Sequence, residues 1–563
     1  LHLQHKLLHG EISVTLPLVR FYEMESQAIM TLVPTRSILP SRRFVLATGA
    51  ALLASTALAG RGRAQDTAAP AAAPVAAPTP FSFDMLSDEM KALSVQPHQA
   101  APRPTSFLDQ LTYDDYQMIQ FKDAAARWTA DDSDFRIYAF HMGWLFEEPV
   151  LMFEVQNGTA VPMQFSTDDF FYQNGLAARV PEHAELPGVA GFKLNAPLNR
   201  ADMFDEVVAF LGASYFRALG RGNAYGLSSR GLAINTAHPE GEEFPRFSRF
   251  YLEKPAPFAR EVVVYAALES ASCTGAYRFV IRPGEETEMD VTARLYFRTA
   301  VQEIGVAPLT SMFLFSEKNR ASFDDYRPNV HDSDGLRIWR NDGDVIWRPL
   351  NNPPRLTGSF FVEENPRSFG LLQRDRAFES YQDAAAHYEK RPSLVIEPAG
   401  EWGKGAVRLV EIPTELEAND NIVAFWVPEA PVQAGEMHEF AYRMRWGMME
   451  LNWNEDLAFV YETRAGVGGV SGVENTDGSR KFVVDFGGGL LATLPDDAKI
   501  EPVLNISGGE IVTQTLSKIA GQPIWRLVID VKGTKDAVIE MGAHVRGYGR
   551  KLTENWLYQW IVV

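Results

Sequence analysis

The chain has 563 residues, 46% of them hydrophobic and 22% charged, which is enough to bury more than one core, so two domains are expected. Asp and Glu number 72 against 53 Lys and Arg, and the resulting net charge of −19 repels phosphate backbones and anionic headgroups, which excludes nucleic acid as the natural partner. A neutral polymer is not disfavoured, and the 18 Tyr, 11 Trp and 35 Phe supply flat apolar faces, although most of them are expected in cores.

The first readable element is Ser41-Arg42-Arg43-Phe44-Val45-Leu46 followed by an Ala/Leu-rich run to Gly60, the pattern of a twin-arginine export signal. That run is weakly apolar and at the short edge of a membrane span, so a cleaved leader is expected rather than an anchor, with Ala57, Ala59 and Ala64 as candidate cleavage positions. Residues 1–40 carry no assignable pattern, and a start at Met30 would give an ordinary short basic leader. Residues 1–64 are therefore read as an upstream extension plus signal, and the periplasm as the destination. From 65 to 80 the Ala/Pro-rich stretch cannot pack a core and reads as a tether.

Two short helices are expected next, one on Leu86, Met90 and Leu93 and one running from Tyr116 through Ile119 and Lys122 into Ala124–Ala126. Beyond about residue 135 the texture becomes short β-type runs broken by Gly, Pro, Asn and Asp, the spacing of a sandwich. The single cysteine, Cys273, lies in one of these runs and can form no internal disulfide. Pro428, Pro431 and Gly435 interrupt the pattern, which places a boundary between a domain at 81–428 and a smaller one at 436–563. In that second domain Trp525, Leu527, Ile529 and Val531 alternate with Arg526, Asp530 and Lys532, and Trp556, Tyr558 and Trp560 alternate again, as in an immunoglobulin-like sandwich.

Several chemistries fail on their motifs. The run 226–231, GLSSRG, is one residue too long for a nucleophile elbow; Gly403-Lys404-Gly405 lacks the hydroxyl residue of a phosphate loop; and 466–471 has Ser where a dinucleotide fingerprint needs Gly. No HExxH occurs, and one Cys cannot build a thiolate metal site, so neither metal nor cofactor is expected. Carboxylates remain, and cleavage of a glycosidic bond needs two of them, an acid for the leaving oxygen and a base for the attacker. Two segments concentrate them beside aromatics and turns: His331-Asp332-Ser333-Asp334-Gly335 leading to Trp347-Arg348-Pro349, and 411–426, EIPTELEANDNIVAFW. Taken alone, each of these acids reads as a solvated or turn carboxylate.

Along almost all of 81–563 the chain resembles the periplasmic glucan biosynthesis family (MdoG/OpgG and OpgD), through strings such as FLGASYFRA at 210–218, YGLSSRGLAI at 225–234, HDSDGL at 331–336, WRPLNNP at 347–353, EWGKGAVRLVEIPT at 401–414 and DNIVAFW at 420–426. The resemblance implies an all-β protein, with a large galactose-mutarotase-like N-terminal β-sandwich bearing a cleft and a C-terminal immunoglobulin-like sandwich. It implies anomer-inverting attack on β-1,2-glucan, with Asp420 as general acid and Asp332 as a base that reaches the attacking water through a relay. Tyr388 would lie beside the substrate, Glu417 is the next acid in rank, and Trp347, Arg348 and Trp402 are expected to contact the glucan. Related members differ in outcome, so a transglycosylase closing the chain through an α-1,6 link and a non-catalytic glucan-binding scaffold for a membrane-bound synthase stand as alternatives. The segment 442–466 matches least well and is expected to enter the second domain and cover the cleft.

Overall fold

The computed structural model describes residues 77–104, 106–129, 132–450 and 456–563. The twin-arginine pattern, and most of the tether, lie outside the described residues. The molecule is all-β. Among the described residues two large, mainly antiparallel sheets face each other, one of sixteen strands and one of ten, and a four-stranded sheet stands at the C-terminal end.

The larger sheet is dictated by alternation. In Cys273–Arg282 and Thr287–Phe297 the inward residues Tyr277, Phe279, Met289, Val291 and Leu295 are buried against the opposite sheet, and the strands pair over ten residues, Cys273 opposite Phe297 to Arg282 opposite Glu288. The facing sheet runs Thr357–Glu364, Lys404–Glu411, Ile422–Pro428, Ile304–Ser311, Ser228–Arg230, Tyr215–Ala218, Phe204–Leu211, Gly191–Pro197 and Arg136–Phe140. Its central strands are buried along their whole length, as expected where both faces are covered. Cys273 is fully buried, and burial pushes its thiol up to about 12, so it is an inert core residue.

The first expected helix is present as Phe83–Ser94. Ser82 Oγ accepts from the Met85 amide at 3.2 Å, Asp84 sits in the first turn, and Leu86 and Met90 pack on the outer face of the large sheet. The second is not a helix along its expected length. A capping box between Thr112 and Asp115 starts Tyr113–Gln117, but the turn ends at Met118, and Ile119–Phe121 is a strand paired with Phe170–Tyr172. The alternation Ile119 buried, Gln120 exposed, Phe121 buried decides it, because only an extended chain puts both apolar residues inward.

The domain boundary also lies elsewhere than expected. Met437–Gly447 is an interior strand of the large sheet, hydrogen-bonded to Thr287–Phe297 on one side and Ser393–Ala399 on the other. The Pro/Gly interruption at 428–435 is therefore a connection within the first sandwich, and the chain enters the second after Gly447. That second unit packs the four-stranded sheet Phe459–Val467, Arg480–Gly487, Ile524–Lys532 and Glu510–Lys518 against Asn555–Ile561, Val538–Gly547 and Ile500–Ser507. Trp525, Leu527, Ile529 and Val531 all face its core as their alternation requires. Its second layer continues the large sheet through a short parallel contact, Ile346 opposite Asn555 and Trp347 opposite Trp556.

Candidate active site

The two segments singled out for their carboxylates meet at one end of the large sandwich. Asp332 follows the short strand Val330–His331, and its amide donates to the Met312 carbonyl at 2.8 Å. Beneath it His331 stacks on Phe313, ring centroids 5.2 Å apart, and shares a 3.0 Å hydrogen bond with Gln373. Asp420 ends the loop after Lys404–Glu411. Its neighbour Asn421 fixes it there, accepting from the Phe313 amide at 2.8 Å and donating to the Phe313 and Ile412 carbonyls at 3.0 Å each. Strand pairing thus brings residues 88 positions apart in sequence into one electrostatic site.

Both aspartates are almost wholly buried, Asp332 at 3% and Asp420 at 8% exposure, yet their partners differ. Asp332 accepts a charge-assisted hydrogen bond from Arg391, whose guanidinium also lies 4.1 Å from the Tyr388 ring centroid. Gly226 makes room for that arginine: a Cβ at 226 would lie 2.8 Å from Arg391 Cβ. Asp420 is paired with Arg217, whose Nη2 lies 3.7 Å from Oδ2, beyond hydrogen-bond range, and Arg391 and Arg230 act on it from farther off. Burial pushes the Asp420 carboxyl up to about 6, Arg217 pulls against that rise, and the negative charge of Asp332 adds to it. Burial also raises Asp332, against the pull of Arg391 and Arg217.

Tyr388 opens the turn Tyr388–Lys390 and is fully buried; its hydroxyl donates to Glu417, and burial keeps the phenol protonated far above its ordinary range. Glu417 is gripped from its other side by Arg327 at 2.7 and 3.0 Å, and Arg327 also binds Asp325 and Asp383. Asp420, Asp332, Tyr388 and Glu417 therefore share one cluster. Trp347, Arg348 and Trp402 do not belong to it. Trp347 is in the core of the C-terminal sandwich with Arg374 stacked 3.4 Å over its ring, Arg348 is buried against Glu411 at 3.0 Å, and Trp402 packs among Phe369, Trp426, Phe440 and Tyr442. Large aromatics in a matched string fill a core as readily as they bind a ligand, and here the core took all three segments. The residues that sequence reasoning missed are Arg217, Arg391 and Arg327. Arg217 stands inside a quoted string, FLGASYFRA, where the signal was an arginine in an otherwise apolar run, which needs a buried anion.

Among the described residues one further trio of carboxylates, Glu317, Asp375 and Glu462, comes within 4.8 Å and could hold a cation by geometry. It spans the junction of the two sandwiches and does not include Asp332 or Asp420. Among the described residues no helix is long and apolar enough to cross a membrane.

The family model described as "Periplasmic glucan biosynthesis protein, MdoG" matches residues 81–560. A "Glucans biosynthesis protein G" of Cereibacter sphaeroides is 60% identical over 527 residues, 92% of this chain and 98% of that protein. A "Probable glucans biosynthesis protein D" of Shewanella oneidensis is 45% identical over 80% of this chain and 83% of its own length, and a "Glucans biosynthesis protein G" of Ralstonia nicotianae is 44% identical over 85% and 95%. Among solved structures a galactose mutarotase related enzyme of Lactobacillus acidophilus overlaps 42% of this chain and 95% of its own, at 9% identity and a TM-score of 0.19, too loose to assign a fold that the strand order already defines.

Proposed function

The chain belongs to the periplasmic glucan biosynthesis family MdoG, and from that membership together with the Asp332 and Asp420 pair we propose that it is an anomer-inverting glycoside hydrolase acting on β-1,2-glucan in the periplasm. The observation that carries the reading is the asymmetry of the two buried aspartates. Burial raises both carboxyls, but Asp420, at about 6 and with Arg217 beyond hydrogen-bond range, is suited to hold a proton and deliver it to the leaving glycosidic oxygen, whereas the charge-assisted hydrogen bond from Arg391 favours the ionised form of Asp332, which can take one up. Tyr388, hydrogen-bonded to Glu417, puts a hydroxyl and a carboxylate in the same cluster, and in this reading the proton lost by the attacker reaches Asp332 through a relay. The chemistry balances with side chains alone: water adds to the anomeric carbon, the glycosidic bond breaks, and the departing sugar takes the proton of Asp420.

A second reading uses the same two aspartates: a sugar hydroxyl rather than water attacks, and an α-1,6-cyclised β-1,2-glucan results. A partner membrane-bound synthase, and export by the twin-arginine route, belong to the same proposal. The test is to incubate purified protein with linear β-1,2-glucan and weigh the products. Shortened chains support the hydrolase, products lighter by one water the cyclase, and unchanged substrate with retained binding a scaffold.

A further inference from the structure

At the edge of the large sheet farthest along its strand order from the C-terminal sandwich, three rings stack in sequence. Phe153 lies 4.7 Å from Tyr251 at 15°, and Tyr251 lies 4.3 Å from Phe81 at 19°. Phe81 is the terminal ring, held edge-on by Tyr265 at 5.3 Å and pinned by its amide donating to the Gly158 carbonyl at 2.8 Å. It is half-buried and lines a concavity of about 630 Å³ together with Phe83, Gln156, Asn157, Glu253 and Ala256. That volume is in the range of ligand pockets, about 300–1,000 Å³. The pocket shares no residue with the Asp332 and Asp420 cluster. Tyr251 and Tyr265 belong to the separate core between the sheet and the helix Phe83–Ser94, on the sheet's outer face.

The geometry points to this concavity as a second saccharide-binding site, for a segment of the same neutral glucan chain held away from the cleft. A pyranose presents an apolar face ringed by hydroxyls, and the pocket offers the complement: a ring immobilised at the end of a stack, beside a carboxylate and two exposed side-chain amides. Its charges are already spoken for. Of the two charged residues in its lining, Glu253 accepts from Tyr265 Oη at 2.6 Å and Lys254 is likewise engaged, so a neutral polyol suits it better than an ion. The inference rests on the glucan reading. A chain long enough to occupy both sites would be retained by the outer one, raising its effective concentration at the cleft.

Two variants test it, Phe81→Ala, which removes the platform, and Ala256→Trp, which fills the concavity from an exposed turn and leaves the stack intact. Kinetics on long and short linear β-1,2-glucan, with binding of the long chain to the Asp420→Asn protein, separate the two claims. Expected for Ala256→Trp is a KM for long chains raised by roughly 3- to 10-fold, unchanged kcat, unchanged kinetics on short oligosaccharides, and one class of sites lost from the binding isotherm. Unchanged long-chain KM and stoichiometry in a folded, active Ala256→Trp protein overturn the second site and leave the cleft reading standing. If no β-1,2-glucan is cleaved or bound, the cleft reading fails. Loss, in Ala256→Trp, of binding to chains of another glucosidic linkage would then still support the outer site, and no saccharide binding by either protein would overturn it.

Discussion

Arg217 Nη2 stands 3.7 Å from Asp420 Oδ2, near enough for its charge to lower the carboxyl pKa and too far to hydrogen-bond it into a permanent anion. Burial drives Asp420 up to about 6 in spite of Arg217. The general acid must be protonated to act, so kcat/KM should fall as pH rises through about 6. Arg217→Met removes the opposing charge, and the alkaline limb should move upward by on the order of one pH unit. A pH–rate series on both proteins checks this; a limb that stays in place would exclude Asp420 as the group that titrates.

Asp420→Asn keeps the shape of the side chain and cannot donate the proton. Turnover should drop by a factor on the order of 10² to 10⁴ with the fold retained. The same substitution carries a stability signature. The folded pKa of about 6 exceeds the ordinary 3.8, so the native state binds the proton more tightly and loses stability as pH rises from about 4 to about 6. The Asn variant escapes that loss. Urea unfolding should therefore show it gaining on the wild type across that window, and near-normal turnover would leave Glu417 as the acid to test.

Trp402 carries the opposite expectation. Its indole donates to the Ala441 carbonyl at 3.1 Å inside a ring of aromatics, so Trp402→Ala should cost about 3–5 kcal/mol of stability. Whatever protein folds should keep its KM for glucan. A raised KM in a variant of wild-type stability would restore the substrate contact expected from the sequence.

What could be read without coordinates was local. The alternation of Trp525 to Val531 fixed its strand and inward face, and the spacing of Leu86 and Met90 fixed the first helix, because each pattern is set by neighbouring residues. Met437–Gly447 was placed in the wrong unit because its partners, Thr287–Phe297 and Ser393–Ala399, lie far off in sequence, and a Pro/Gly turn looks the same within a sheet as between domains. Asp332 and Asp420 are candidates that the matched strings point to. Arg217 and Arg391 were not singled out, because an arginine's value here lies in which anion it is buried against.

The trio at the junction supplies a pH test of its own. Glu462, on Phe459–Val467, is pushed up to about 8 by burial and by Glu317, with Arg464 and Lys318 opposing and Asp334 adding to the rise. A carboxyl raised this way favours the protonated fold, so stability drains as pH climbs from about 4.5 towards about 8. Glu462→Gln should be the more stable protein at pH 8, by on the order of 1 kcal/mol or more, and indistinguishable below pH 4.5. Calorimetry across that range decides it, and repeating the scan with a divalent cation reports whether the trio binds one.

The last prediction concerns how the two sandwiches are held together. Arg374 donates to both carboxylate oxygens of Glu554 at 2.9 and 2.8 Å, and also to the Val460 carbonyl, while Glu554 accepts from the Val460 amide at 3.0 Å. Both side chains are buried, at 5% and 1% exposure, and the guanidinium lies 3.4 Å over Trp347. A buried pair is weak evidence of net stabilisation, but breaking one leaves an uncompensated charge in the interior. Glu554→Ala should therefore cost about 3–5 kcal/mol, and Arg374→Met alone a comparable amount. The double replacement Arg374→Met with Glu554→Leu should recover most of the loss, because the remaining apolar side chains can pack where the ions stood. Since the pair ties the loop after Ser368–Leu372 to the C-terminal sandwich, the single variants should also split one unfolding transition into two, with the four-stranded unit melting first. Additive losses in the double variant would show that the two residues act independently, and a single sharp transition in Glu554→Ala would show that Trp347 and the strand contact to Trp556 suffice to couple the units.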